Sequence, residues 1–383
     1  MNKIYVIVFF LICSCSNVKE PLYTESNSFE VYDTLTLNYT TRDFKIYDYD
    51  ENLDLFVGMS RNMMDSIIVF DSNGSIKSKF FALGTGNQIV GNNIYSISFR
   101  DKDKLLINSD DGFVTYNYLT DSISQIVTFK NSIRAYGSIQ SFNIEQVKAG
   151  DSEMYLTILK PSFPENYLRD FDERIITDYK PITAFFPTSG KFEMIGDISK
   201  NSIYYSESSH FGELLSLFDY NSEKSLIFLL NNPDNIVLVY DVLGTLIKEI
   251  PLTTKEFKLP YSYGFGYVTD NMLEYQVVNS VYREMYSSGS DLLITYRTGI
   301  HDDTFLSMSS PSDLPRYFQK EMKYYAILLE DEEQNSEEFE LPYASTGIAN
   351  FNSKNNLLLY TNPSITETTD GMIFFKARII ESK

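Results

Sequence analysis

The stretch that decides the fold is Ile67-Ile68-Val69-Phe70-Asp71-Ser72-Asn73-Gly74-Ser75-Ile76. An apolar strand runs into the pair Asn73-Gly74, and a second strand returns from it. Glycine adopts the positive φ that a tight hairpin turn requires, and Asn-Gly between apolar runs is a strong hairpin signal. The stretch therefore predicts a β-hairpin with Gly74 in the turn.

Variants of this hairpin recur along the whole chain, at irregular spacing. They begin at residues 113, 182, 236, 324 and 372, and the copy at 236–246 follows the same order of residue types most closely. A further strand precedes each copy, and an innermost strand precedes that one, which makes a four-stranded repeat. The innermost strands are predicted at 44–48, 94–99, 139–146, 213–219, 277–286 and 347–350. Six four-stranded repeats predict an all-β, six-bladed β-propeller.

The two ends of the chain are predicted to form one blade together. The last repeat lacks its outer strand, whereas residues 30–37 alternate correctly and belong to no other repeat. We therefore expect the N-terminal strand to complete the last blade and close the ring. A two-domain β-sandwich or barrel would use the same strands, and insertions at 161–181, 251–272 and 298–323 leave room for a seventh blade.

The N-terminus has the pattern of an export signal. An unbroken apolar run at residues 4–12 precedes Cys13-Ser14-Cys15, and nine helical residues are too short to span a bilayer. Residues 12–15 resemble a bacterial lipobox, and this resemblance implies a lipoprotein signal peptide at 1–14 and a lipid-modified Cys15. We predict a tether at 15–28 and one propeller domain at 29–383. The membrane is then a partner through the lipid anchor, and the location is the outer membrane, on its periplasmic or its cell-surface face. The alternative is an ordinary cleaved signal with two incidental cysteines.

Composition excludes several functional classes. The 383 residues contain 52 acidic and 32 basic side chains, a net charge of −20, which opposes binding to nucleic acid. Two cysteines and two histidines disfavour a disulfide framework and a zinc site. We predict no metal centre and no cofactor. The segments 48–52 and 108–112 are rich in side-chain oxygens and could bind calcium, although such residues are equally common in turns.

Candidate binding residues fall in the long loops that a propeller gathers on one face. Arg297, His301, Asp302 and Asp303 combine an anion-binding fork, a group that titrates near neutral pH and two carboxylates. A solvated ion-pair cluster would have the same composition. His210 belongs to the same set of loops, as do Tyr261, Tyr263 and Tyr267, whose rings could stack on a ligand or simply fill space between blades.

The cysteine-containing leader, the Phe-Asp-x-Asn-Gly hairpin at 70–74 and the chain length resemble uncharacterised propeller-type lipoproteins of Bacteroidetes. The resemblance implies the fold and an envelope location, and it carries no catalytic motif. The main hypothesis is a non-catalytic binding module for a glycan, a peptide or an envelope protein. The alternatives are a hydrolase or lyase of extracellular polymers that uses Arg297, His301 and Asp302, and a purely structural subunit of an envelope complex.

Overall fold

A computed structural model describes most of the chain from residue 28 onward. The described residues are 28–39, 41, 44–60, 66–81, 90–91, 93–110, 112–128, 143–150, 152–158, 177–206, 215–259, 278–308, 321–331, 336–362 and 371–380. The predicted signal peptide, Cys15 and the tether up to residue 27 lie outside these ranges.

Within these ranges, twenty-four strands form six antiparallel four-stranded sheets, each one blade of a β-propeller. The first blade contains β2 (Phe44–Asp50), β3 (Leu55–Ser60), β4 (Ser66–Asp71) and β5 (Ile76–Phe81). The second contains β6 (Ile94–Asp101), β7 (Lys104–Ser109), β8 (Gly112–Asn117) and β9 (Ser122–Thr128). The third contains β10 (Ile144–Ala149), β11 (Ser152–Thr157), β12 (Ile182–Phe186) and β13 (Lys191–Ile195). The next two contain β14 (Leu215–Asn221), β15 (Leu226–Asn232), β16 (Ile236–Asp241) and β17 (Leu246–Pro251); and β18 (Val281–Ser288), β19 (Asp291–Arg297), β20 (Tyr324–Leu329) and β21 (Ser336–Glu340).

The sixth blade joins the two ends of the chain. Its order is β1 (Phe29–Leu37), β24 (Met372–Ile379), β23 (Asn356–Thr361) and β22 (Ser345–Ser353). β1 is antiparallel to β24, in a register that runs from Phe29 opposite Ile379 to Leu37 opposite Met372. The predicted six-bladed propeller and its closure by the N-terminal strand are confirmed.

Two predicted innermost strands begin later than expected. β10 starts at Ile144, because Asn143, which the prediction included, lies outside the strand. β18 starts at Val281 rather than at residue 277. Ser280 is held by the preceding connection instead, because its N–H donates to the Lys258 carbonyl at 3.2 Å and its hydroxyl accepts from the Lys258 N–H at 2.8 Å. These bonds replace ladder bonds for the residues just before the strand.

The decisive hairpin occurs twice with the same geometry. The Asp71 carboxylate accepts from the N–H groups of Asn73 and Ser75, and Gly74 has a φ of +78°. In the fourth blade, Asp241 and Gly244 (φ +82°) fill the same roles. An aspartate that caps its own turn, followed by a glycine with positive φ, is the physical content of the repeated sequence.

The core lies between neighbouring blades. Apolar side chains from the facing sheets form continuous clusters, such as the one that joins Phe29 and Phe375 of the sixth blade to Leu293 and Phe339 of the fifth. Aromatic rings fill much of this space, with Phe80 of the first blade stacked on Tyr116 of the second at 4.2 Å. Burial of this surface fixes each blade against the next.

The two faces of the ring have connections of very different length. On one face, the turns within blades contain two to six residues. On the other, four connections contain 19 to 29 residues, namely 158–181, 196–214, 252–280 and 298–323. We call the second surface the long-connection face. The described part of this face includes two short helices, α1 (Ile203–Ser206) and α2 (Asp302–Ser307).

Candidate functional site

The innermost strands surround a polar cavity on the propeller axis. Its volume is about 100 Å³, and side chains from β2, β10, β14, β18 and β22 line it. The ionisable groups among them are Lys45, Asp48, Glu145, Asp219, Arg283 and Glu284. A liquid water molecule occupies roughly 30 Å³, so the cavity holds a few waters or the tip of a polar group rather than a whole ligand.

Two of the carboxylates join neighbouring blades. Asp48 of the first blade accepts from the backbone N–H of Phe99 on the second at 2.7 Å. Asp219 of the fourth blade accepts from both the N–H and the hydroxyl of Ser287 on the fifth, each at 2.6 Å. Hydrogen bonds to a charged acceptor contribute about 1.5–3 kcal/mol each, so these contacts hold the innermost strands in register.

Asp219 also reaches a third blade. The side-chain amide of Asn143, just before β10, donates to its carboxylate at 3.3 Å and to the Phe218 carbonyl at 3.3 Å. Only 9% of Asp219 is exposed. Its carboxylate therefore accepts from the third and fifth blades while it sits on the fourth.

We call the space around this axial cavity the channel. Burial away from water has the largest effect on the pKa values of its carboxyl groups. Burial raises the pKa of Asp48 to about 6, against the opposing effect of its hydrogen bonds from Phe99 and Tyr49. Burial likewise raises the pKa of Asp219, although Ser287 and Asn143 donate to it. Burial, followed by the negative charges of Asp219 and Asp48, raises the pKa of Glu145 well above its usual range. The channel is thus a place where carboxyl groups gain protons easily.

Two cationic side chains, Lys45 and Arg283, line the same cavity. The Lys45 ammonium lies 5.7 Å from the centre of the Tyr47 ring. Arg283 follows β18 residue Tyr282 and lines the same cavity, next to Glu284, which accepts a hydrogen bond from the Thr295 hydroxyl. The lining of the cavity therefore contains both hydrogen-bond donors and acceptors, which suits a hydroxyl or an amine.

The structure places the predicted Arg297 and His301 in different surroundings. Arg297, at the end of β19, donates to the carbonyls of Asn279 and Thr298 at 3.5 and 3.3 Å. Burial, followed by the charge of Arg283, lowers its pKa to about 10. The guanidinium thus binds backbone at the base of the long-connection face.

His301 and Asp303 lie at the surface of the same face. The His301 side chain is 72% exposed and that of Asp303 is 90% exposed, with 3.6 Å between Nδ1 and the carboxylate. His301 is also the N-cap of α2, because its Nδ1 accepts from the Asp303 N–H at 3.3 Å. Asp302 begins that helix. His210, Tyr261, Tyr263 and Tyr267 lie outside the described residues.

In the two segments with calcium-like composition, described carboxylates accept hydrogen bonds from backbone N–H groups. Asp50 accepts from the Leu53 N–H at 3.0 Å, and Asp110 accepts from the Asn93 N–H at 3.2 Å. Across the described ranges, no group of three or more His, Cys, Asp or Glu side chains is arranged to hold a metal ion. No helix within those ranges is long and apolar enough to cross a membrane.

Sequence reasoning missed the role of Asp219 and Glu145, and gave Asp48 a different one. The sequence does contain a pattern that indicates the two aspartates. The segments Tyr47-Asp48-Tyr49-Asp50 and Phe218-Asp219-Tyr220-Asn221 are similar, and they occupy equivalent positions in the first and fourth blades. Glu145 has no such counterpart, so only the assembled ring reveals that it faces the two aspartates.

Comparison with known proteins supports the architecture. No protein-family model and no curated sequence matches the chain. A solved structure of a DUF4221 family member from Bacteroides vulgatus aligns with 93% of this chain and all of its own, with a TM-score of 0.64 and 13% identity. A predicted exported protein from Bacteroides fragilis aligns with 92% of this chain and 96% of its own, with a TM-score of 0.55 and 11% identity. The predicted resemblance to Bacteroidetes propeller proteins is confirmed at the level of the fold.

Proposed function

We propose that the protein is a binding or interaction module of the cell envelope that takes its ligand on the long-connection face. The observation that carries the proposal is the contrast between the two faces of one closed ring. Connections of 19 to 29 residues crowd one face, while the other has turns of two to six residues. Loops much longer than a turn requires are commonly functional, and a rigid scaffold positions them.

The channel supports a particular ligand chemistry. Carboxyl groups of Asp48, Glu145 and Asp219 surround a cavity of about 100 Å³, which admits only a small polar group. A ligand that reaches the cavity would therefore present a hydroxyl or an amine to these groups. A glycan, a peptide or the surface of an envelope protein each offers such groups, whereas the net charge of −20 disfavours a polyanion.

Location outside the cytoplasm is part of the same proposal. The structural similarity to a predicted exported protein supports export. The leader at 1–14, a lipid on Cys15 and a tether at 15–28 would hold the propeller at the outer membrane. Metabolic labelling with an alkyne fatty acid tests the anchor: we expect the wild-type protein to take up the label and Cys15→Ser to lose it. Label on both would contradict attachment at Cys15.

Binding is tested apart from catalysis with two variants. The chain from Ser16 onward is screened by thermal shift against oligosaccharides, peptides and calcium, and each ligand found is then offered as a substrate. We expect Glu145→Gln to weaken binding of that ligand, and the double variant His301→Ala with Asp302→Ala to bind it normally. Turnover that the double variant loses while it stays folded would instead establish the hydrolase or lyase alternative.

A further inference from the structure

A second cavity lies on the opposite face of the ring, where the sixth blade meets the first. Its volume is about 430 Å³, within the range of roughly 300–1,000 Å³ that small-molecule sites occupy. We call it the seam groove. Tyr49 and Asn350 form the wall that it shares with the channel cavity. Its apolar floor consists of Leu35, Phe56, Leu357 and Leu358, which are all buried.

An exposed aromatic ring stands in this groove because of an irregularity in β1. The register of β1 against β24 shifts between Val31 and Asp33, so Tyr32 is an extra residue without a partner across the ladder. A β-bulge re-aims a side chain, and Tyr32 is 47% exposed among the residues that line the groove. The ring therefore offers an apolar surface with a polar tip.

Asparagine amides supply hydrogen-bonding groups beside that ring. Asn350, Asn352, Asn355 and Asn356 all line the groove. The Asn350 amide donates to the Asn352 side-chain oxygen at 2.8 Å, which fixes both side chains. Asn355 and Asn356 are exposed, and no hydrogen bond within the described ranges uses their side-chain amides. A primary amide both donates and accepts, as do the adjacent hydroxyls of a sugar.

The seam groove contains one ion pair and one further carboxylate, which is hydrogen-bonded to neutral hydroxyls. The Lys376 ammonium lies 3.3 Å from the Asp33 carboxylate. Asp54 accepts from the Ser72 hydroxyl at 2.6 Å and from the Tyr49 hydroxyl at 3.2 Å. The carboxylate of Asp54, which has no cation beside it among these contacts, opposes an anionic ligand, while the amides and the aromatic ring suit a neutral polar one. We propose that the seam groove binds a neutral saccharide, which stacks on Tyr32 and bonds to Asn355 and Asn356.

Saturation-transfer NMR and isothermal titration calorimetry test this site. The probes are neutral oligosaccharides of glucose, mannose, xylose and N-acetylglucosamine, with oligogalacturonate as an anionic comparison and a mixture of short peptides as a second one. We expect at least one neutral oligosaccharide to bind, and Tyr32→Ala to raise its Kd about tenfold, as expected for the loss of a stacked ring. Asn356→Ala should also weaken binding.

Tyr343→Ala is the matched control, because Tyr343 is 70% exposed and does not line the groove. It should leave the Kd unchanged, and circular dichroism should show all three variants folded. The proposal is overturned if no neutral oligosaccharide binds, if Tyr32→Ala and Asn356→Ala bind as wild type does, or if only the peptides bind. Since Glu145→Gln acts at the channel, its result reports separately on the long-connection face.

Discussion

Acidification should stabilise this protein, because buried carboxyl groups of the channel bind protons more readily in the folded state. Asp48 allows this explanation to be tested. The pKa of Asp48 is raised to about 6 in the folded state by burial, against an ordinary value of 3.8. The folded chain then binds a proton more readily than the unfolded chain between these values. The resulting stabilisation is complete below about pH 4 and is lost as the pH rises through about 6.

The magnitude follows from the shift. Two pKa units correspond to about 3 kcal/mol in full, of which about 1 kcal/mol is gained between pH 7 and pH 5.5. Asp48→Asn removes this titration, while the remaining side-chain oxygen can still accept from the Phe99 N–H. The pH dependence of the free energy of unfolding should therefore shrink by about 1 kcal/mol in the variant.

Urea unfolding followed by far-ultraviolet circular dichroism measures the effect at both pH values. Asp71→Asn is the control. Although burial opposes the shift, hydrogen bonds from Lys77 and two backbone N–H groups hold the pKa of Asp71 below its usual value. Its titration thus lies below the tested window, and its pH dependence should equal that of wild type. Equal pH dependence in wild type and Asp48→Asn would refute the reasoning.

Three further predictions concern stability. Glu145→Gln should raise the urea midpoint at pH 7 and leave it unchanged in acid, since it removes a carboxyl that burial and two nearby aspartates disfavour as an anion; a lower midpoint at pH 7 would contradict this. Phe29→Ala should cost about 3–5 kcal/mol in chemical unfolding, because the ring is fully buried against Phe339, while the exposed Phe81→Ala should cost less than about 0.5 kcal/mol. Gly74→Ala should lower the melting temperature more than Gly190→Ala. Both glycines have positive φ, but only at Gly74 would an added methyl meet a backbone oxygen, that of Thr36 at 2.0 Å. Equal losses of melting temperature in the two variants would argue against that contact.

The sequence alone predicted the ring because its signals are local. Asp71 and Gly74 specify a turn within a few residues, and the same turn returns at Asp241 and Gly244. Closure was also predictable, since residues 30–37 alternate like a strand and have no partner nearby. Counting blades then required only that each strand be paired once.

The channel cluster was harder to predict, because its residues are far apart in sequence. Asp48 meets Phe99, and Asp219 meets both Asn143 and Ser287, across separations that no short motif encodes. The raised pKa values depend on burial that exists only in the closed ring. Conversely, Arg297 and His301 are close in sequence, yet the first binds backbone carbonyls and the second caps a helix.

The pairing of β1 with β24 joins residues almost a full chain length apart, from Phe29 opposite Ile379 onward. During synthesis, the earliest strand must therefore wait without its partner until the final one has been made. The closing ladder therefore forms only after nearly the whole chain has been made. A protease cut just after Leu37 would allow β1 to dissociate from β24, and the sixth blade would then lack its outer strand.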